Sequence, residues 1–111
     1  MEFTQYKIAV YVPTENASYI RKCLAESGCG QVGHYDSCSF SAPGKGRFQP
    51  QEGADPYLGE VGQLEEVIEE KVEVICPQEN LQSTIQRLVE AHPYDEPAID
   101  ILPMIDYHSL L

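Results

Sequence analysis

The sequence predicts an α+β fold in which two helices pack on one face of an antiparallel sheet. Apolar residues alternate in several short segments, which is typical of strands with one buried face. In two other segments they recur at helical spacing. The chain has 111 residues, of which 42% are hydrophobic. One core of this size predicts a single domain over residues 1–111.

The first half of the chain predicts a strand, a helix and a second strand. The segment QYKIAVYV places four apolar or aromatic residues on one face: Tyr6, Ile8, Val10 and Val12. This alternation predicts a strand buried on that side. A helix is predicted over residues 15–27, with Thr14 as its N-cap and Gly28 in the left-handed conformation that ends it. Alternation over residues 31–41 predicts the second strand.

The second half predicts a long loop, a strand, a helix and a final strand. Residues 42–62 contain five of the eight glycines and three of the eight prolines, which predicts a long loop, with a possible short strand at GRFQP. The first half of LEEVIEEKVEVIC fits a helix or a strand by periodicity alone. Because no helix stop separates the halves, a strand with an internal irregularity is predicted over residues 63–76, its glutamates on a solvated face. Pro77 opens the next helix and Pro93 ends it. The segment AIDIL then alternates as a strand, and the complete order predicts a ferredoxin-like βαββαβ sandwich.

Charge and composition narrow the classes of partner. The chain has 7 basic and 18 acidic residues and a formal net charge of −11, which disfavours nucleic acid and anionic membrane surfaces as partners. It has no apolar run of membrane-spanning length and no signal-peptide pattern, which predicts a cytoplasmic protein. Its four cysteines form no CxxC pair. Neither a zinc ribbon nor a thioredoxin-type site is therefore predicted, and free thiols are expected.

The segment HPYDEPAIDILPM, residues 92–104, carries the most unusual combination of residues. Pro93 ends a helix, and Pro97 favours an extended Glu96 before the last strand. This architectural interpretation accounts for both prolines. It does not require a histidine at position 92 or paired acids at 95 and 96, so a binding role for these side chains stays open.

That segment resembles the His-Pro-Tyr signature of CutA-type proteins. Together with GHYDSCSFSAPGKGRFQP and GEVGQLEEVIEEKVEVIC, in this order, it also resembles the domain inserted in YqfO, a NIF3-like family labelled type 2 GTP cyclohydrolase I homologues. The second resemblance covers about residues 6–104. It implies a domain related to CutA and PII proteins, which commonly form trimers. In the YqfO-like proteins the metal centre belongs to the flanking domain. The resemblance therefore implies a free-standing insert, to which the cyclohydrolase label does not transfer.

A divalent-metal site of CutA type, for zinc or copper, is one hypothesis for this chain. The candidate metal ligands are His34, His92 and Glu96, and Cys38 offers a sulfur donor. On a strand, His34 and Cys38 would point to the same side but lie two pleats apart, too far to share one ion unless the strand bends. His92 and Glu96 would converge only through the turn that the prolines form. Packing or hydrogen bonding is the simpler role for these residues.

A small-ligand site is the other hypothesis. Lys45 and Arg47 lie in the predicted loop and suggest an anion or nucleotide-like ligand, although PGKGRF is not a phosphate-binding motif. The candidate ligand-binding residues are Tyr35, Cys38, Lys45, Arg47, His92, Tyr94 and Glu96. A thiolate pair of Cys38 with a histidine has no supporting signature, and no catalytic residue is predicted. We therefore predict a non-enzymatic homo-oligomer, a trimer by resemblance, that needs no cofactor and binds a small ligand or a partner protein.

Overall fold

The computed structural model describes residues 3–111 and shows a four-stranded antiparallel sheet with two helices on one face. The elements are β1 (Gln5–Pro13), α1 (Thr14–Glu26), β2 (Phe40–Phe48), β3 (Glu65–Pro77), α2 (Gln78–Ala91), β4 (Ile99–Met104) and a 3₁₀ helix (Tyr107–Leu110). The strand order across the sheet is β2-β3-β1-β4. The predicted fold class is therefore confirmed.

The core lies between the helices and the two central strands, β1 and β3. The buried strand residues are Ile8, Val10, Val12, Val72, Val74 and Cys76, and the helices add Ala17, Ile20, Leu24 and Leu88. The strand residues occupy alternate positions, so they all project from the same face of the sheet. The odd-numbered residues of β1 and β3 project from the opposite, helix-free face, where the candidate site lies.

The ends of both helices follow local sequence signals. Gly28 has φ +88° and its N–H donates to the Ala25 carbonyl, which confirms the predicted end of α1. The N-cap prediction was wrong, because Thr14 already lies inside α1 and Pro13 precedes the helix without any side-chain capping bond. His92 follows α2 with extended backbone, as the next residue, Pro93, requires. Neither of these helices, nor the 3₁₀ helix, is long and apolar enough to cross a membrane.

The second strand was predicted in the wrong place. Residues 31–39 form a turn instead, because Gly30, Gly33 and Ser37 all have positive φ and the Cys38 N–H donates back to the Gly30 carbonyl. The strand β2 occupies Phe40–Phe48, within the region predicted to be loop. Its glycines and proline are weak strand formers, but an edge strand tolerates them. The loop is correspondingly shorter than predicted and runs over residues 49–64.

The strand β3 is more regular than predicted. It pairs with β1 over Gln5–Pro13 and with β2 over Phe40–Phe48 without a skipped position, so the predicted irregularity is absent from β3. The prediction that its glutamates lie on a solvated face was wrong for Glu69. Glu69 is only 8% exposed, because the 92–98 turn covers the helix-free face at this point.

Candidate functional site

The turn formed by residues 92–98 is anchored by a buried histidine. His92 is 6% exposed, and its Nε2 lies 2.7 Å from the Tyr11 carbonyl oxygen. The other ring nitrogen, Nδ1, accepts a hydrogen bond of 3.1 Å from the Tyr94 N–H. Nδ1 is therefore unprotonated, and Nε2 carries the hydrogen that is donated to Tyr11. His92 thus ties the end of α2 to β1.

The environment of His92 favours its neutral form. Burial lowers the pKa of the imidazole, and this effect exceeds the opposing contributions of the Tyr11 carbonyl and the Glu69 carboxylate. In the neutral form the ring donates one hydrogen bond and accepts one, which matches its two neighbours. Because both nitrogens are engaged, His92 has no lone pair left for a metal ion in this conformation.

Tyr94 links the same turn to β3. Its hydroxyl donates a hydrogen bond of 2.7 Å to Oε2 of Glu69. Burial and this carboxylate raise the pKa of Tyr94 well above its ordinary value, so the phenol stays protonated and acts as a donor. Glycine at position 46 makes room for the carboxylate, since a Cβ there would lie 2.0 Å from Oε1 of Glu69.

A cleft of about 320 Å³ lies between the end of β2, the 49–64 loop and this turn. Its aromatic lining residues are Tyr11, Phe48, Tyr57 and Tyr94, and its charged lining residues are Arg47, Glu69, Asp95 and Glu96. The Tyr94 ring centroid lies 5.6 Å from that of Phe48 and 6.3 Å from that of Tyr57. Asp95 holds the loop in place by accepting a 3.0 Å hydrogen bond from the Asp55 N–H.

A second cavity, of about 440 Å³, adjoins the cleft on the side of β2. Four residues line both spaces: Tyr11, Gly46, Glu69 and Ala98. The second cavity also contacts Lys45 and Lys71. The two spaces therefore form a groove along the helix-free face, with Glu69 at the boundary between them.

The structure brings five of the candidate ligand-binding residues to this groove. Arg47, Tyr94 and Glu96 line the cleft, Lys45 lines the second cavity, and His92 lies behind Tyr94 with ring centroids 5.0 Å apart. Lys45 and Arg47 lie on β2 rather than in a loop, and they share one partner. Glu66 is 3.5 Å from Nζ of Lys45 and 3.0 Å from Nε of Arg47.

The structure separates Tyr35, Cys38 and His34 from the groove. Their turn attaches to the sheet where the Gly30 N–H donates to Ile75, and Ile75 pairs with Lys7. The cleft lies at Tyr11, four residues farther along β1, which corresponds to about 13 Å. The only side-chain hydrogen bond of Cys38 within residues 3–111 is from Sγ to the Asp36 carbonyl, at 3.8 Å.

These positions do not favour the metal-binding hypothesis. Within residues 3–111, no three His, Cys, Asp or Glu side chains are placed to hold a metal ion together. Of the candidate ligands, His92 has both ring nitrogens engaged, His34 lies at the other end of the sheet, and Glu96 is exposed on the turn.

Sequence patterns did not single out Tyr11, Phe48, Tyr57 and Glu69 as site residues, although they complete the groove. Glu69 belongs to a run of glutamates whose usual environment is solvent. Phe48 and Tyr57 come from the end of β2 and the following loop, where periodicity gives no orientation. Tyr11 gave a partial signal, because it is an aromatic residue on the face of its strand opposite the predicted core.

Comparison with known proteins places the chain beside a segment of much longer proteins. It is 43% identical over 98 residues to the GTP cyclohydrolase 1 type 2 homolog of Bacillus subtilis, a match that covers 88% of this chain and 26% of that protein. The corresponding protein of Listeria monocytogenes is 46% identical over 97 residues, or 86% of this chain and 26% of that protein. The chain resembles one segment of these NIF3-like proteins. It spans about a quarter of the length of the curated relatives it matches.

Solved structures agree with this NIF3-like relationship. A Bacillus cereus protein related to NIF3 superposes with a TM-score of 0.80 at 39% identity, over 94% of this chain and 26% of that chain. The CutA protein of Archaeoglobus fulgidus superposes with a TM-score of 0.68 at 21% identity, over 92% of this chain and 85% of that chain. The second likeness establishes the fold alone. No protein-family model matches the chain.

Proposed function

We propose that the chain is a non-enzymatic, self-associating module that binds a small ligand or a partner protein in the cleft beside the 92–98 turn. The observation that carries this proposal is the cleft itself, which is lined by four aromatic residues and by Glu69, a residue that is more than nine-tenths buried. A concave, mainly apolar space with a few fixed polar groups is the usual form of a small-molecule site.

The side chains around the cleft favour binding over catalysis. A general acid or base needs a proton that it can exchange near neutral pH. His92 has both nitrogens engaged in fixed hydrogen bonds, and the raised pKa of Tyr94 keeps its hydroxyl protonated. Both groups hold the turn in place. The name GTP cyclohydrolase 1 type 2 homolog belongs to proteins about four times as long, and we do not extend an activity to this chain.

Two sheet edges support self-association. The outer strands β2 and β4 carry exposed apolar side chains, including Phe40 at 68%, Ile101 at 41% and Leu102 at 55% exposure. A soluble protein must pair, cover or blunt such edges, and pairing with another copy would also bury these apolar side chains. Pairing of β2 with β4 of a neighbouring copy would close a ring, and we propose a homotrimer, as the CutA and PII resemblance implies.

The four free thiols, three of them buried, fit a reducing compartment such as the cytoplasm.

Sedimentation velocity tests the assembly. We expect one species at three times the chain mass at micromolar concentration. A monomer at that concentration would contradict self-association.

Metal analysis of protein purified without an affinity tag tests the competing hypothesis, that the chain is a divalent-metal-binding protein. Stoichiometric zinc or copper that is lost in His92→Ala would replace our proposal with a metal-binding function.

Nuclear magnetic resonance with a fragment library tests the cleft. The library should contain cationic, neutral and anionic fragments, and binding is read from ¹⁵N amide shifts. We expect at least one chemical class to cause saturable shifts at Tyr57, Tyr94 and Asp95. The amides of His34 and Tyr35, at the other end of the sheet, serve as the internal control. Absence of saturable shifts at the cleft with all three classes would overturn the binding function.

A further inference from the structure

Glu69 is a buried carboxylate without a positively charged partner. It is 8% exposed, and its only hydrogen bond from a described side chain is the one that Tyr94 donates to Oε2. Within residues 3–111, Oε1 accepts no hydrogen bond and Glu69 forms no ion pair. Oε1 itself is open to the groove, because the fully buried side-chain atom that lacks a partner in this range is Oδ1 of Asn16. The nearby cations are committed elsewhere, since Lys71 pairs with Glu73 and Lys45 with Glu66.

An environment of this kind favours an additional cation. A buried charge is stable only when it is paired and hydrogen-bonded. Tyr94 supplies one hydrogen bond but no charge, because burial and Glu69 itself keep the phenol protonated. Glu69 lines both cavities of the groove, so a molecule that enters either cavity can reach its carboxylate.

The position of the Glu69 carboxylate depends on glycine at residue 46, which has no Cβ. A Cβ at residue 46 would lie 2.0 Å from Oε1 and 2.5 Å from Cδ of Glu69. Any other residue would therefore displace the carboxylate from this position. This close approach is independent of the aromatic walls and of the charge of Glu69.

The aromatic walls suit a cation that carries an apolar body. Ammonium and guanidinium groups are attracted to aromatic faces, and Nζ of Lys71 already lies 5.8 Å from the Tyr11 ring centroid. Phe48, Tyr57 and Tyr94 supply apolar surface on the other side of Glu69. The cleft volume of about 320 Å³ is at the lower end of the range for small-molecule sites.

We propose that the groove binds a small organic cation, with an ammonium or guanidinium nitrogen on Oε1 of Glu69 and an apolar body between the aromatic rings. This inference rests on the proposed binding function and specifies the chemical class of its ligand. It disfavours the anionic ligand that Lys45 and Arg47 suggested from sequence, because both basic side chains are already paired with Glu66. The formal net charge of −11 further favours attraction of a cation.

Titration with matched probes tests the ligand class. The probes are phenethylammonium and benzylguanidinium, with phenethyl alcohol as an uncharged molecule of similar shape, and binding is followed by amide shifts and calorimetry. We expect at least one of the two cations to bind about tenfold or more tightly than the alcohol, because the alcohol can donate a hydrogen bond to Glu69 but carries no positive charge to pair with it.

Two variants and one control locate the interaction. Glu69→Gln keeps the shape and still accepts from Tyr94, and we expect it to remove the preference for the cation. Gly46→Ala retains every charge but displaces the carboxylate, so it should also weaken cation binding. Glu65→Gln is the control, since Glu65 lies on the same face of β3 but outside both cavities, and it holds no described basic side chain in an ion pair. The amide spectrum of each variant verifies that it is folded.

The outcomes separate this inference from the proposed function. Cleft binding by neutral or anionic fragments, with no preference for the cations and no effect of Glu69→Gln, would overturn the inference and leave the binding function intact. Failure of both cations to bind would also overturn it, and failure of every fragment class would remove the binding function as well. A Glu69→Gln variant that dissociates the oligomer would show that a basic side chain of a second copy occupies the site, which also overturns the inference.

Discussion

Two turns of similar composition have opposite environments in this protein. One contains His34, Tyr35 and Asp36, and the other contains the sequence His-Pro-Tyr-Asp over residues 92–95. His34 and Tyr35 are exposed, Tyr35 at 76%, whereas His92 is 6% exposed. The first turn is closed by backbone hydrogen bonds, such as those between Val32 and Tyr35. The side chains of the second turn bond to β1 and β3 and to the 49–64 loop.

The difference shows that residue type alone does not decide whether these side chains stabilise the fold. A histidine stabilises the fold when buried acceptors and donors meet both of its nitrogens, which is the case only for His92. A tyrosine hydroxyl matters when its partner is a buried carboxylate, which is the case only for Tyr94. The comparison therefore predicts large effects for one turn and small effects for equivalent changes in the other.

The largest expected effect is that of His92→Ala. The substitution removes two buried hydrogen bonds and leaves a cavity, so the free energy of unfolding should fall by about 3 kcal/mol. The matched change His34→Ala should alter it by less than about 0.5 kcal/mol. Urea unfolding of the three proteins measures both values. Similar losses for the two histidines would refute the contrast between the turns.

The second effect concerns the base of the exposed turn. Gly30 has φ +81°, and a Cβ there would lie 2.5 Å from the Cys38 carbonyl oxygen. Gly30→Ala should therefore lower the free energy of unfolding by about 2 kcal/mol, from the left-handed backbone and the clash together.

Gly33 provides the matched control, since it has φ +58° but no atom within 4 Å of a Cβ. Gly33→Ala should cost about 1 kcal/mol, from backbone conformation alone. Equal losses in urea unfolding would mean that the close approach of Gly30 to Cys38 contributes nothing.

Tyr94→Phe is expected to have the third-largest effect. It removes one hydroxyl and leaves the buried carboxylate of Glu69 without its hydrogen bond, which should cost about 1.5 kcal/mol. Tyr35→Phe removes the same atom from an exposed ring and should be neutral within about 0.5 kcal/mol. Thermal and urea unfolding at neutral pH compare the two variants. A neutral Tyr94→Phe would indicate that Glu69 finds another donor.

The smallest expected effect is a dependence of stability on pH. Burial lowers the pKa of His92 below its ordinary value of 6.5, so the folded protein binds fewer protons than the unfolded chain near that pH. The contribution is present above pH 6.5 and is lost as the pH falls toward the lowered folded-state pKa. Between pH 6.5 and 5.5 the loss cannot exceed about 1.4 kcal/mol for one group.

Unfolding measured at both pH values in three proteins tests this assignment. The decrease should persist in His34→Ala and disappear in His92→Ala. If His92→Ala retained the full decrease, another group would be responsible.

Much of the fold was predictable because its signals are local. The alternation in β1 identified Ile8, Val10 and Val12 as core residues, and Pro93 marked the end of α2. The failures also have local causes. The alternation over residues 31–41 ignored the left-handed positions at Gly30, Gly33 and Ser37, and the glycine-rich composition of FSAPGKGRF hid a strand that its neighbour β3 holds in place.

The candidate site was only partly predictable because its contacts join distant residues. The His92–Tyr11 bond spans 81 residues and the Tyr94–Glu69 bond spans 25. In the sequence Glu69 is one of several glutamates in a run, and its burial depends on the distant 92–98 turn that covers it.

The sequence by itself determined the strands β1 and β3, both helices and the proline-bounded turn, because periodicity and backbone restriction act between near neighbours. Only the tertiary structure decided that Glu69 is buried, that His92 is neutral and that the two similar turns differ. Those properties depend on which distant atoms surround a side chain, and the energies of burial and hydrogen bonding are set by those surroundings.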